Sequence, residues 1–280
     1  MRRLRLFLPH LRLPFQLTLA PIFLWGALLG EGGWRWETFA AFFSLHLFLY
    51  PAATAFNSAY DRDEGPVGGL EAPPPVPEGL LGFSLALAAL GAVLAVPAGG
   101  AFLLCYALAV GWTAAYSHPA TRWKAGPVSS ALAIALGQGA VGFAAGWVSA
   151  APLTLSALFV AGAASAALTA VGLYPLTQVF QVEEDRARGD RTLAATFGPA
   201  RALRLGNAGL LAGGAVAAAL AVSRFGRVDG AAVALAYLLL ILGQERIART
   251  LVRPALYRRA MRLLNAATAG FLLFLAWQAI

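Results

Sequence analysis

The sequence predicts an all-α polytopic membrane protein whose helices cross the bilayer nine times. Of its 280 residues, 59% are hydrophobic and only 12% are charged, whereas soluble domains carry about 25% charged residues. The charges are also segregated, because seven windows of 15 to 58 residues contain no Asp, Glu, Lys or Arg. A membrane-spanning helix needs roughly 20 apolar residues. This pattern excludes a soluble α/β enzyme, a disulfide-rich scaffold and a disordered chain.

The nine predicted spans are obtained by dividing the two longest charge-free windows. Residues 79–117 and 125–182 are each too long for one crossing. They are interrupted by the sequences PAGG at 97–100 and AAP at 150–152, where a helix can turn. The predicted spans are 13–31, 37–60, 79–96, 101–117, 128–148, 153–181, 202–222, 230–250 and 261–279. Span 8 is the weakest, because its charge-free stretch has only 15 residues. Span 6 is long enough for its C-terminal end to project beyond the hydrocarbon.

The basic residues predict the orientation of the chain in a cell (inner, cytoplasmic) membrane. Eighteen Lys and Arg residues fall on the side that holds the N-terminus, and three fall on the other side. Such a bias predicts a cytoplasmic N-terminus and an external C-terminus. We therefore attribute the net charge of +8 to topology and contact with anionic membrane lipid, not to nucleic acid. No small-residue cleavage site follows the first segment, so we expect it to remain a span.

Acidic residues gather in two clusters on the predicted cytoplasmic side. One cluster follows span 2 and the other follows span 6; their members are Asp61, Asp63, Glu64, Glu71 and Glu78, and Glu183, Glu184, Asp185 and Asp190. If span 2 continues as a helix, Asn57, Asp61 and Glu64 lie on one helix face. These three side chains then form a row of oxygen atoms along the helix at the membrane boundary.

Asp185 of the second cluster is also predicted to share a helix face with polar residues. Gln178, Gln181 and Asp185 lie on one face if span 6 remains helical through them. Carboxylate and amide oxygens are suited to Mg²⁺, which commonly bridges one or two carboxylates to substrate phosphates. Two such rows on one side of the membrane favour a magnesium–diphosphate site over two independent, solvated helix ends.

Three motifs in these regions resemble those of the UbiA superfamily of intramembrane prenyltransferases. The first motif is residues 57–65, NSAYDRDEG, after span 2. The second is residues 116–124, YSHPATRWK, after span 4, and the third is residues 181–193, QVEEDRARGDRTL, after span 6. Each motif alone is moderately specific, but the three occur in the expected order on one predicted membrane face, and the resemblance covers nearly the whole chain.

The motifs also depart from the family pattern. Ser58 and Gly65 stand where many members have Asp, and Gln181 replaces the leading Asp of the third motif. The central carboxylates, Asp61 and Asp185, are present. These departures leave open a divergent subfamily, or a UbiA-like protein with altered or lost activity.

The resemblance implies both a fold and a chemistry. The fold is a single domain, residues 1–280, in which nine helices surround a central cavity capped by loops at about 61–78 and 182–201. The chemistry is the transfer of a prenyl group from an allylic polyprenyl diphosphate to a lipophilic, aromatic-type acceptor, as in quinone or related lipid biosynthesis. Magnesium and cationic side chains assist ionisation of the diphosphate.

The resemblance and the helical spacing together give a set of candidate site residues. The candidate metal ligands are Asn57, Asp61, Glu64, Gln181 and Asp185. The candidate diphosphate-binding residues are Asn57, Tyr116, Arg122, Lys124 and Arg191. The catalytic residues are expected to be Asp61, Lys124 and Asp185, and Lys124 is the only lysine of the chain. If these residues share one diphosphate, the Asp61 and Asp185 carboxylates face each other within roughly 12 Å.

Two rival interpretations belong to other classes of membrane protein. An ion-coupled transporter also uses acidic residues, but its sites usually lie near the bilayer midplane at broken helices. A phosphatidyl-group transferase uses metal-bound carboxylates at the membrane boundary, but the sequence lacks an Asp-Gly-x-x-Ala-Arg motif. The identity of the acceptor and the length of the prenyl chain stay open.

Overall fold

The computed structural model describes residues 2–251 and 253–278, and within these ranges nine helical segments are long and apolar enough to cross a membrane. They are Arg5–Gly30, Trp36–Asp61, Leu80–Ala98, Gly100–Ser117, Pro127–Ala150, Ala157–Gln178, Pro199–Phe225, Arg227–Thr250 and Ala255–Gln278. We number these segments spans 1 to 9. The predicted all-α membrane architecture and the number of spans are confirmed, including span 8, which the sequence indicated most weakly.

Span 6 differs from its prediction at both ends. It begins at Ala157 rather than 153, because the Ser156 hydroxyl accepts a hydrogen bond from the Phe159 amide (3.2 Å) and caps the helix. Beyond Gln178, residues 179–181 form a turn, and a separate short helix, Val182–Ala187, follows. The predicted continuous helix through Asp185 is therefore wrong.

The physical reason for this turn is the burial of apolar side chains. Val179 and Val182 fold back into a cluster that includes Leu176, Leu203 and Ile247, contributed by spans 6, 7 and 8. A straight helix would have carried these valines out of the bilayer into water. The packing of apolar side chains thus determines the path of the chain after span 6, and this path determines where the polar side chains of the third motif lie.

Span 2 ends within one residue of its predicted boundary but does not continue as a helix through the first motif. Its last helical residue is Asp61, and Arg62 takes a left-handed conformation (φ 51°, ψ 42°) with its amide bonded to the Ser58 carbonyl at 3.1 Å. Pro66 cannot continue a helix, and it disfavours the helical conformation of Gly65 before it. Glu64 consequently does not share the helix face of Asp61, so that prediction is wrong.

The half of the bundle away from Asp61 is filled by large apolar side chains. This core contains Phe23, Trp25, Phe102, Phe143, Trp147 and Phe159. Spans 1 and 5 cross there at glycines: a Cβ on Gly26 would lie 2.0 Å from the Phe143 carbonyl oxygen, and one on Gly146 would lie 1.9 Å from that of Phe23. Small residues permit such close approach of helices inside a membrane. This half of the protein is therefore closed.

Two segments between spans cover the other end of the bundle. The segment of residues 62–79 packs on span 1, with Val67 buried and Gly68 against the Phe15 ring. The second segment contains the short helices Val182–Ala187 and Leu193–Phe197. We call these two segments the cap. A cavity remains between the cap and the apolar core.

Candidate active site

The cavity beneath the cap has a volume of about 310 Å³ and combines a charged mouth with a largely apolar interior. Its mouth is lined by Asp61, Asp63, Lys124, Gln181, Asp185 and Arg188. Its interior is lined by Ile22, Tyr50, Ala109, Ile134, Gly137 and Leu264, from spans 1, 2, 4, 5 and 9. Such a cavity suits an amphipathic molecule that has a highly charged head and an apolar tail.

Asp61 forms the centre of the first motif. Its side chain is only 5% exposed; it contacts the Lys124 ammonium directly, and Arg122 Nη1 lies 3.5 Å from Oδ1. One helical turn earlier, Asn57 also lines the cavity and donates a hydrogen bond from Nδ2 to the Ser117 hydroxyl (3.1 Å). That bond leaves the Asn57 amide oxygen as the atom that can bind a ligand.

Lys124 lies in the segment between spans 4 and 5 and is nearly as buried as Asp61. Its side chain is 8% exposed. Burial lowers the pKa of Lys124, and the neighbouring Asp61 carboxylate opposes this effect. The only lysine of the chain is thus held at the mouth of the cavity by a carboxylate from span 2.

Arg122 approaches the same site from outside the cavity. Its guanidinium donates two hydrogen bonds to Asp190, from Nε to Oδ1 (2.9 Å) and from Nη2 to Oδ2 (2.8 Å). This paired contact raises the pKa of Arg122 despite partial burial. Arg122 therefore links the second motif to the third and places a cation beside Asp61.

Asp185 is the central carboxylate of the third motif. Its side chain is 7% exposed; Oδ2 accepts a hydrogen bond from the Thr192 hydroxyl (2.8 Å), and Oδ1 accepts one from Arg188 Nη2 (3.1 Å). Burial raises the pKa of Asp185, and these two contacts oppose the shift. Both Asp61 and Asp185 therefore line one cavity, and both contact Arg188, whose Nη1 lies 3.5 Å from the Asp61 carbonyl oxygen.

Deeper in the membrane, hydroxyl and amide groups line the cavity. The Tyr116 and Tyr174 hydroxyls lie 2.7 Å apart, which joins span 4 to span 6. Gln178 lies one turn beyond Tyr174 and also lines the cavity. These groups provide hydrogen-bonding positions between the charged mouth and the apolar interior.

The structure brings together most, but not all, of the residues predicted from sequence. Asn57, Asp61, Tyr116, Lys124, Gln181 and Asp185 line the cavity, and Arg122 contacts it through Asp61 and Asp190. Glu64 is exposed outside the cavity, and its backbone amide binds Glu184 Oε1 at 2.9 Å. Arg191 is also exposed and does not line the cavity. Its amide donates a hydrogen bond to the Ala125 carbonyl (2.7 Å), and the residue borders a separate surface hollow.

Four charged residues of the site had no assigned role in the sequence-based set. Asp63, Arg188 and Asp190 line the cavity together with Arg12 of span 1. Arg12 is 7% exposed and donates from Nη2 to the Ser58 hydroxyl (2.8 Å). Three of them lie inside the motifs, which is the only indication that the sequence offers. The motifs contain many charged residues, and spacing alone does not show which of these residues line the cavity.

The charges around the cavity are balanced within the described residues. Four carboxylates, Asp61, Asp63, Asp185 and Asp190, contact or lie near four cations, Arg12, Arg122, Lys124 and Arg188. In the same part of the chain, no group of three or more His, Cys, Asp or Glu side chains is arranged to hold a metal ion by itself. However, the buried Asp61 Oδ1 accepts no hydrogen bond. Such oxygens fit Mg²⁺ when substrate phosphates provide the remaining ligands.

The chain is similar to known proteins in its sequence pattern and in its fold. The sequence pattern of the UbiA prenyltransferase family matches residues 19–269. No curated protein sequence matches the chain. The fold is similar to a UbiA homolog from Archaeoglobus fulgidus bound to GPP and Mg²⁺, with a TM-score of 0.72, 19% identity, and coverage of 97% of this chain and 99% of that chain.

Two further solved structures share the fold. One is the apo structure of a UbiA homolog from Aeropyrum pernix K1, with a TM-score of 0.67, 20% identity, and coverage of 95% of this chain and 98% of that chain. The other is a structure of digeranylgeranylglyceryl phosphate synthase, with a TM-score of 0.62, 17% identity, and coverage of 98% of each chain. Because the family pattern extends over most of its length, this chain belongs to the UbiA prenyltransferase family.

Proposed function

We propose that this protein transfers a prenyl group from an allylic polyprenyl diphosphate to a lipophilic, aromatic-type acceptor. The observation that carries the proposal is the cavity, whose charged mouth continues into an apolar interior within the membrane. A diphosphate head fits the mouth, and a prenyl tail fits the interior. The A. fulgidus homolog bound to GPP and Mg²⁺ supports this assignment for the family fold.

The ligands proposed for Mg²⁺ are the oxygen atoms that face the mouth of the cavity. They belong to Asp61 and Asp185, with the amide oxygens of Asn57 and Gln181. Glu64 is left out, because it lies outside the cavity. When it is bound, Mg²⁺ neutralises negative charge on the departing diphosphate.

The basic residues at the mouth are proposed to bind the phosphate oxygens. Lys124 is paired with Asp61, and Arg122 is paired with Asp190. A diphosphate that competes for Lys124 releases the Asp61 carboxylate, which can then bind Mg²⁺. Substrate and metal are therefore expected to bind together. The Tyr116 hydroxyl, which lies deeper in the cavity, is proposed to bind the diphosphate as well.

A transporter mechanism is the rival proposal, and the position of the charges argues against it. The carboxylates Asp61 and Asp185 lie at the end of span 2 and in the cap, not at interruptions in the middle of spans. Beneath them, large aromatic side chains fill the other half of the bundle. A solute pathway across the membrane would have to pass through that core.

The test uses the full-length protein in detergent or lipid nanodiscs. Prenyl diphosphates of increasing length are supplied with candidate aromatic acceptors, and pyrophosphate release is measured with Mg²⁺ and with EDTA. We expect Mg²⁺-dependent release, reduced at least 100-fold by Asp61→Asn or by Asp185→Asn, because each change removes a proposed metal ligand. Glu78→Gln, a change at an exposed acid of the same cap, serves as the control.

Two results would contradict the proposal. One is full turnover in both aspartate variants. The other is ion-dependent flux of a solute across proteoliposomes without any release of pyrophosphate, which would indicate the transporter.

A further inference from the structure

Arg188 occupies the middle of the carboxylate cluster at the mouth of the cavity. Its Nη1 contacts Asp63 directly, its Nη2 lies 3.1 Å from Asp185 Oδ1, and its Nε lies 3.4 Å from Asp190 Oδ2. Nη1 also lies 3.9 Å from Glu184 Oε1. Nη1 and Nη2 donate hydrogen bonds to carboxylates, whereas Nε lies near Asp190 without a hydrogen bond.

The carboxylates around Arg188 come from both acidic motifs. Asp63 belongs to the segment after span 2, and Asp185 and Asp190 follow span 6. The three side chains are 4 to 7% exposed, and that of Arg188 is 21% exposed. Buried carboxylates repel one another and need a counter-charge. The Arg188 guanidinium supplies that charge to all three carboxylates. It joins the two motifs together with Arg122, which contacts Asp61 and Asp190.

This position is also the position that a divalent ion would take. Arg188 is surrounded by oxygen atoms from two acidic segments, and a bound metal ion would have the same surroundings. Arginine stays charged at every physiological pH and forms directional bonds to several carboxylates at once. Among the described residues, Lys124 has one carboxylate partner and Arg122 has two, whereas Arg188 has four.

We propose that Arg188 is a resident cation that replaces one divalent ion of the diphosphate site. The inference rests on the proposed function, since it concerns the same site. Asp61 Oδ1 accepts no hydrogen bond, although Arg122 Nη1 lies 3.5 Å away, and we assign this oxygen to Mg²⁺. The oxygens of Asp63, Asp185 and Asp190 that face Arg188 are already neutralised, and Asp185 Oδ2, which faces Thr192 instead, is the Asp185 oxygen left for Mg²⁺. The protein therefore takes up one divalent ion fewer than it would without Arg188.

The competing role for Arg188 is that of a simple phosphate ligand, and the two roles predict different ion counts. A phosphate ligand leaves its carboxylates when substrate binds, so its removal weakens diphosphate binding without changing the number of ions. A resident cation stays with Asp63 and Asp185, so its removal opens a place for one more ion.

The experiment counts Mn²⁺ ions bound per protein. Free Mn²⁺ is measured by electron paramagnetic resonance with the full-length protein and a non-reactive geranyl thiolodiphosphate. We expect Arg188→Ala to bind one Mn²⁺ more than the wild type and Arg188→Lys to bind the wild-type number. Arg62→Ala removes an exposed arginine of the cap and is the matched control, with the wild-type number expected.

A second measurement does not require the diphosphate. Without Arg188 the buried carboxylates repel one another, so Arg188→Ala should have a lower melting temperature than the wild type in EDTA. Millimolar Mg²⁺ should restore most of that loss, while the wild type and Arg62→Ala change little. A merely structural arginine would produce a loss of stability that Mg²⁺ does not repair.

The outcomes separate this inference from the proposed function. Equal Mn²⁺ numbers in the wild type and Arg188→Ala, with weaker diphosphate binding in the variant, would make Arg188 a phosphate ligand and overturn the inference alone. If no protein takes up Mn²⁺ together with the thiolodiphosphate, both the proposed function and the inference are wrong.

Discussion

Lys124 and Asp61 form a buried ion pair in which each charge depends on the other. Their side chains are 8% and 5% exposed. Removing one member of a buried pair leaves an uncompensated charge, whereas replacing both members with neutral groups is far less costly. Arg122 lies 3.5 Å from Asp61 and compensates only in part, because it is bound to Asp190. The pair is therefore expected to contribute to stability as well as to substrate binding.

At the residue scale we predict that Lys124→Met lowers the free energy of unfolding by about 3 kcal/mol, because Asp61 is left without its closest counter-charge. The double variant Asp61→Asn/Lys124→Met should regain most of this stability and still release no pyrophosphate. Unfolding in mixed micelles measures the first effect, and pyrophosphate release measures the second. A Lys124→Met protein as stable as the wild type would show that the pair is not coupled in this way.

Spans 1 and 5 form a close helix crossing in the closed half of the bundle. Backbone atoms occupy the space that a side chain would need at Gly26 and at Gly146. Packing of this kind is the main source of helix association in a membrane, where lipid is as apolar as the helix surface. The crossing fixes the position of span 1, which carries Arg12 and Ile22 to the cavity.

At the element scale we predict that Gly146→Ala destabilises the protein by about 2 kcal/mol, because the new methyl group overlaps the Phe23 carbonyl and forces the helices apart. Gly111→Ala, in span 4, is the control: a Cβ there meets nothing within 4 Å, and alanine is the better helix former. Thermal unfolding of both variants in nanodiscs tests the difference. Equal melting temperatures would contradict the prediction.

The molecule has a charged end, which contains the cap and the cavity mouth, and an apolar end filled by aromatic side chains. We propose that the charged end faces the cytoplasm, since the basic residues of the sequence are concentrated on that side. A water-soluble diphosphate head could then reach the mouth without crossing the membrane. The N-terminus would be cytoplasmic and the C-terminus external.

At the scale of the whole molecule, we predict that an impermeant maleimide labels Arg35→Cys, and not Glu78→Cys, in right-side-out membrane vesicles. Both positions are exposed and lie at opposite ends of the bundle, Arg35 before span 2 and Glu78 before span 3. The native Cys105 is only 8% exposed, so the wild type should stay unlabelled and serves as the control. Labelling of Glu78→Cys alone would reverse the proposed orientation.

The sequence by itself determined the nine spans, the side on which the charges gather, and Asp61, Lys124 and Asp185 as candidate site residues, all three of which line the cavity. These features are local. An apolar window must cross the bilayer wherever it occurs in the chain, because its backbone can satisfy its hydrogen bonds there only as a helix. Motifs that follow such helices at the same face of the membrane therefore stay close to one another.

Only the tertiary structure decided where the helices end and which charges meet. Span 2 stops at Asp61, and Val179 and Val182 turn the chain after span 6 into an apolar cluster. Glu64 therefore lies outside the cavity, and Arg188 lies at its mouth. The contact between Arg188 and Asp63 joins residues 125 positions apart. Its formation depends on how distant apolar segments pack, and no helical spacing within either motif contains that information.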